Sequence, residues 1–132
     1  MKVTEYGILF EREQRVFEVA GIKIGGQPGE NPVMLIGSVF YRGDKALRNP
    51  ETGELDRERA KNSIEEAKAL IEELGLSFGL DVVIPSLSSV ENILPFIAEF
   101  EVPLLIDAVE PEARLRAYRI CLLYTSDAAD EL

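Results

Sequence analysis

Histidine and tryptophan are absent from this chain, and cysteine occurs once, at Cys121. Without imidazole, these residues build no histidine-based triad, no histidine zinc site and no imidazole proton relay. A single thiol forms no internal disulfide and fits a reducing compartment, where Cys121 reads as a small buried hydrophobe. No apolar run approaches the roughly 18 residues that cross a bilayer. The opening Met-Lys-Val-Thr-Glu-Tyr lacks the hydrophobic region of a secretory signal, so a cytoplasmic location is expected. Basic residues are scarce, 14 Lys and Arg against 24 Asp and Glu for a net charge of −10, and they are interleaved with glutamates. No basic stripe forms, and nucleic acid is not expected as a partner.

What remains is the composition of an ordinary soluble domain, 46% apolar and 29% charged over 132 residues, long enough for a real core. The most informative stretch is Gly25–Phe40, where Gly-Gly-Gln-Pro-Gly-Glu-Asn-Pro runs into Val-Met-Leu-Ile-Gly-Ser-Val-Phe. An unbroken apolar strand after such a turn reads as buried on both faces, the habit of parallel sheets covered by helices. In such folds ligands gather at the carboxyl ends of strands, which directs attention to Gly37, Ser38 and the loop Phe40-Tyr41-Arg42-Gly43.

The remaining pattern alternates strands with helices. Tyr6–Phe10 and Val16–Ile24 flank the charged connector Glu11–Arg15 and predict a hairpin or a pair of short strands within residues 6–26. Val33–Val39 is the first core strand, followed by a long polar loop, Asp44–Asp56, with turn chemistry at Asn49–Gly53. Asp56 caps a helix over Arg57–Leu74, whose Ala60, Ile64, Ala67, Ile71 and Leu74 share one stripe and which stops at Gly75. Asp81–Pro85 is a second strand. Ser88 with Glu91 predicts a capping box for a helix reaching Phe100, with Pro95 forcing a kink or a later start. Pro103–Asp107 is a third strand, and Glu110-Pro111 opens a third helix. Three βα units in succession specify an α/β fold with a parallel sheet.

The Gly25–Glu30 run, the strand Leu35–Tyr41 and the strand Leu105–Asp107 together resemble the H subunit of tetrahydromethanopterin S-methyltransferase. They equally resemble its bacterial relatives, the methyl-corrinoid:tetrahydrofolate methyltransferases. The likeness spans Phe10 to Ile120. It implies the N-terminal part of a TIM (β/α)₈ barrel, about three βα units preceded by a β-hairpin. The implied activity moves a methyl group between N5 of tetrahydromethanopterin or tetrahydrofolate and the cobalt of a corrinoid. The corrinoid is carried by a partner protein. Other methyltransferase subunits are implied partners, as are a homodimer at full length and membrane contact only through those partners.

In the wider pterin-binding barrels an aspartate ending the third strand accepts hydrogen bonds from the pterin amino group and N3. Asp107 occupies that place, followed here by Ala108-Val109 where relatives usually have Ser or Thr. A carboxylate accepts two parallel bonds from such a ring, as it does from a guanidinium fork. The alternative duty for Asp107 is to cap the helix at Glu110-Pro111. Ser38 and Ser86, at strand ends, are further candidates for pterin contact. Asp81 opens its strand, the stability end of a barrel. The group assisting the leaving nitrogen is expected on a later strand, so this chain is expected to be inactive by itself and to hold no catalytic residue or metal ligand.

Two other readings stay open, a dihydropteroate-synthase-like pterin enzyme and a small non-enzymatic α/β module. The Gly25–Glu30 run speaks against the first. Cys121–Glu131 is similar, when turned back into codons, to a transposon-end sequencing adapter over eleven consecutive residues. That likeness implies that residues 121–132 are a non-native tail, although Leu122–Thr125 would pass for a fourth strand.

Overall fold

The fold is taken from a computed structural model that describes residues 2–4 and 7–124. Two antiparallel hairpins open the chain. Strand β1 (Lys2–Thr4) pairs with β2 (Gly7–Leu9), and β3 (Val16–Val19) pairs with β4 (Ile22–Gly25). The expected hairpin across Glu11–Arg15 is therefore replaced by two hairpins. Ala20 and Gly21 both adopt positive φ, 50° and 78°, which matches the twist of a two-residue turn and folds Val16–Ile24 back on itself. Tyr6 lies outside the described residues.

Strand β5 (Met34–Val39) follows, and the chain then leaves it through Phe40 at a φ of 65°. That conformation is costly for a bulky side chain, so the surroundings must hold it. Phe40 N–H donates to Asp44 Oδ2 at 2.7 Å, and its fully buried ring lies 6.4 Å from that of Phe96. The loop Asp44–Asp56 is more than a solvated connection. It carries a small hairpin, β6 (Leu47–Asn49) with β7 (Glu54–Leu55), and buries Ala46 and Leu47 in the main core.

Helix α1 (Arg57–Glu73) begins where Asp56 accepts the Arg59 N–H at 3.2 Å. It ends in a Schellman motif, with Leu76 N–H on Ile71 O at 3.1 Å and Gly75 N–H on Glu72 O at 3.0 Å. Ala60 and Ile64 of the expected stripe are buried and Ala67 and Ile71 half-buried, whereas Leu74 is 65% exposed at the cap. Two residues after Gly75 the chain enters strand β8 (Ser77–Val83), four residues earlier than the expected Asp81 start. Asp81 is therefore its fifth residue, in the carboxyl half.

Next comes a 3₁₀ turn, Leu87–Ser89, which leads into helix α2 (Val90–Ile97) and a second turn, Ala98–Phe100. The reciprocal cap is formed by Ser86 and Ser89 rather than Ser88 and Glu91, with Ser89 Oγ donating to Ser86 O at 2.7 Å and Ser86 N–H reaching Ser89 Oγ at 3.3 Å. Glu91 instead pairs with Arg116 at 3.1 Å. Pro95 is accommodated inside α2, which tightens to 3₁₀ geometry three residues later. Strand β9 (Leu104–Asp107) and helix α3 (Pro111–Tyr124) complete the described chain. Helix α3 runs through Cys121 into the adapter-like segment, so Leu122–Tyr124 is helical rather than a strand, and Thr125 lies outside the described residues. Cys121 is half-buried against the core, and this burial pushes its thiol pKa up.

The three long strands form one parallel sheet in the order β5-β8-β9. Side chains alternate across it. Phe78, Leu80, Val82 and Ile84 point to the covered side and are at most 4% exposed, packed with Ile64, Ile93, Leu94 and Ile97. The opposite side carries Met34, Ile36 and Ser38 in register with Ser77, Gly79 and Asp81, and then Leu105 and Asp107 in register with Asp81 and Val83. No helix covers that side among the described residues, and Ile36 and Leu105 remain 44% and 43% exposed. Strand β5 is thus not buried on both faces as its apolar run suggests, since Leu35 on its helix side is 42% exposed as well. Among the described residues no helix is long and apolar enough to cross a membrane.

Expressed alone, the 132-residue chain is expected to bind a hydrophobic dye and melt without a cooperative transition, because an open apolar face and two bare strand edges invite association. A monodisperse, sharply melting sample in calorimetry would contradict it. Asp56 has its pKa lowered, first by the Arg59 N–H it accepts and further by Arg48 and Arg59. A carboxylate with a depressed native pKa stabilises the fold above its unfolded value of 3.8 and loses that contribution as pH falls through the native value. The helical ellipticity of Asp56→Ala should therefore lie below wild type near pH 6, and the two should converge toward about pH 2; parallel curves would refute the assignment.

Candidate functional site

The open face of the sheet gathers the polar side chains of the site. Ser38 is the fifth residue of β5, Asp81 the fifth of β8 and Asp107 the last of β9, so all three stand toward the carboxyl ends of parallel strands. Ser38 and Asp81 are register partners, and Ser38 Oγ donates to Asp81 Oδ2 at 3.0 Å. Asp107 is in register with Val83, two residues beyond Asp81 on the neighbouring strand. Such a diagonal places the two aspartates about 7–8 Å apart at Cα. Around them the face is apolar or small, with Met34, Ile36, Gly79, Val83 and Leu105.

The Asp107 carboxylate is exposed and makes no hydrogen bond or ion pair among the described residues. It does not cap α3. The first turn of that helix is held instead by Arg114, whose N–H reaches Glu110 O at 3.1 Å and whose guanidinium reaches Ala108 O at 2.7 Å. A carboxylate after Leu-Leu-Ile is expected to be buried; the exposure arises because nothing lies over the open face. Asp107 main-chain O, by contrast, is engaged, accepting Ile84 N–H at 2.9 Å. The backbone is fixed while the side chain is left available.

Ser86 lies elsewhere. Its hydroxyl donates toward Glu51 O at 2.7 Å and Pro50 O at 3.0 Å, and Ser88 Oγ adds a bond to Glu51 O at 2.7 Å. These bonds tie the β6–β7 loop to the start of α2, so the Ser86 proton is already committed. Gly53 meets the same place, where an added Cβ would stand 2.7 Å from that of Ser89. The Phe40–Gly43 loop, the other place singled out in the sequence, turns its aromatic ring into the core and leaves Tyr41 and Arg42 exposed. The concave places described in the structure lie at Gly53–Arg57 with Asn92 and along α1 at Asp56–Glu66, away from Ser38, Asp81 and Asp107.

The Gly25–Glu30 run proves to be a clasp. Gln27 Nε2 donates to Phe10 O at 3.0 Å while its Oε1 accepts Phe10 N–H at 2.8 Å, imitating a strand partner with a side-chain amide. Gly26 N–H reaches Arg15 O at 3.0 Å, Asn31 Nδ2 reaches Gly25 O at 3.0 Å, and Glu30 Oε2 accepts Gln27 N–H at 3.3 Å. Gly25 and Gly26 both have positive φ, and a Cβ on Gly25 would sit on the Arg15 carbonyl oxygen. Gln27→Ala is accordingly expected to speed amide exchange at Phe10 and leave the β5-β8-β9 amides unchanged. Equal protection at Phe10 in both proteins would show that the clasp holds nothing.

Comparison with known proteins adds the chemical context. A family model described as tetrahydromethanopterin S-methyltransferase MtrH subunit matches residues 12–124. The H subunit of tetrahydromethanopterin S-methyltransferase from Methanocaldococcus jannaschii is 36% identical over 109 residues, which are 82% of this chain and 34% of that protein. The protein of the same name from Methanopyrus kandleri is 31% identical over 109 residues, with the same shares of 82% and 34%. Its counterpart in Methanosarcina acetivorans is 32% identical over 114 residues, 85% of this chain and 36% of that protein. The chain thus spans about a third of the length of the curated relatives it matches.

Proposed function

The chain belongs to the tetrahydromethanopterin S-methyltransferase MtrH subunit family, and from that membership we propose that it forms the first arc of a pterin-binding methyltransferase barrel. The protein it belongs to moves a methyl group between N5 of a tetrahydropterin and a corrinoid cobalt carried by a partner protein. Tetrahydromethanopterin is the pterin that the relatives' names favour, with tetrahydrofolate the alternative, and other subunits of such an enzyme are the fitting partners. A corrinoid cobalt accepts and returns methyl groups, and no residue of this chain is assigned to holding it.

The observation that carries this reading is the unengaged Asp107 carboxylate on the open side of the sheet. Three features support the barrel. The strands follow one another in chain order, all helices lie on one side, and the other side is an apolar lining awaiting a cover. A sheet of that kind presents ligands at the carboxyl ends of its strands, where Asp107 stands. A reduced pterin offers the N3 and 2-amino hydrogens on one edge, and a carboxylate accepts both in parallel. Around that contact, Leu105, Ile36 and Met34 supply an apolar floor for a flat ring. The open face equally gives no support to a self-contained three-stranded module. Methyl transfer from N5 also calls for a donor to the leaving nitrogen, and that role is assigned to strands beyond these three.

The test uses a full-length protein in which residues 12–120 of this chain are completed by the remaining two thirds of the Methanocaldococcus jannaschii relative. Titration calorimetry with tetrahydromethanopterin is expected to give binding that Asp107→Asn weakens about 10- to 100-fold, the loss of a charge-assisted pair of hydrogen bonds. Unchanged affinity would remove Asp107 from the site.

A further inference from the structure

The sequence pattern puts Asp81 at the start of its strand and thus remote from any ligand. Its observed place is different, and it raises the question of why a second carboxylate faces the open side of the sheet, one strand from Asp107. We propose that Asp81, oriented by Ser38, reads the oxidation state of the pterin; this rests on the pterin-binding reading of the same face. The Ser38 hydroxyl donates to Oδ2 at 3.0 Å, and Oδ1 has no hydrogen-bond partner among the described residues. One oxygen is thereby held in place and the other is left to accept.

The rest follows from the chemistry of the ring. On the edge opposite N3, a tetrahydropterin presents N8–H as a donor. In the fully oxidised pterin N8 carries a lone pair and no hydrogen. A carboxylate facing N8 therefore gains a hydrogen bond from the reduced ring and meets lone-pair repulsion from the oxidised one. Asp107 cannot make this distinction, since the N3 and 2-amino hydrogens it would accept are present in both forms. The diagonal of about 7–8 Å between the two aspartates suits a ring held between them, with each carboxylate reaching one edge. Asp107 then supplies affinity for any pterin, and Asp81 selects the reduced one. Ser38 acts through Asp81 as a positioning residue.

The experiment compares tetrahydromethanopterin with a fully oxidised pterin, using the completed full-length protein described above. Wild type is expected to prefer the reduced ring, and Asp81→Asn, whose amide can donate to N8, is expected to narrow that preference by at least about 10-fold. Ser38→Ala keeps the carboxylate and loosens its orientation, and should narrow the preference less. A preference unchanged in Asp81→Asn overturns the proposal while leaving the pterin site intact. If Asp81→Asn binds neither ring, Ser38→Ala decides, a narrowed ratio supporting the proposal and an unchanged one overturning it. Wild type that binds neither pterin instead overturns the functional reading on which the proposal rests.

Discussion

Helices lie against only one side of the β5-β8-β9 sheet, and most of what this chain does depends on that asymmetry. The covered side carries Phe78, Leu80, Val82 and Ile84 into a dry core with α1, α2 and α3. The open side mixes exposed Ile36 and Leu105 with Ser38, Asp81 and Asp107. In a soluble protein such a face is costly unless something covers it. The lining of a closed barrel resolves the cost, because further strands bury the apolar residues while a ligand engages the polar ones near the rim. One surface thus accounts both for the incomplete burial of this chain and for its proposed chemistry.

Rigid supports surround the site without entering it. Phe40 leaves β5 in a left-handed conformation that Asp44 and the core hold in place, and the β6–β7 loop is bonded to the start of α2 through Ser86 and Ser88. The glutamine clasp fixes the chain just ahead of β5. These devices consume hydroxyls and amides that would otherwise look like ligand contacts. What they leave unused on the open face is the Asp107 carboxylate and one oxygen of Asp81.

Much of the fold is legible in the sequence where a single signal dominates. Asp56 before an amphipathic stripe and Gly75 after it mark α1 nearly to the residue, and Leu-Leu-Ile-Asp marks β9. Strand β8 starts earlier than its pattern suggests because Ser77 and Gly79 alternate with Phe78 and Leu80, and the glycine and serine read as turn residues rather than as the open face of a strand. That slip carries Asp81 to the wrong end of its strand and hides its pairing with Ser38, which only the register between β5 and β8 reveals. The hairpin at Val16–Ile24 escapes notice because Ala20 gives no turn signal of its own. Ser86 illustrates the converse. A serine at a strand end reads alike whether it meets a ligand or a distant carbonyl, and here its hydroxyl goes to Pro50 and Glu51. The Gly25–Glu30 run points to the correct family, although its bonds hold the backbone together and place no group on the open face.

The central claim concerns where a reduced pterin rests, and a crystal structure of the completed full-length protein with tetrahydromethanopterin tests it most directly. The account predicts the ring inside a closed barrel, its 2-amino group and N3 within hydrogen-bond distance of the Asp107 carboxylate. A pterin bound away from the open face of β5-β8-β9, or a sheet whose open face is covered by helices instead of a barrel lumen, would contradict it.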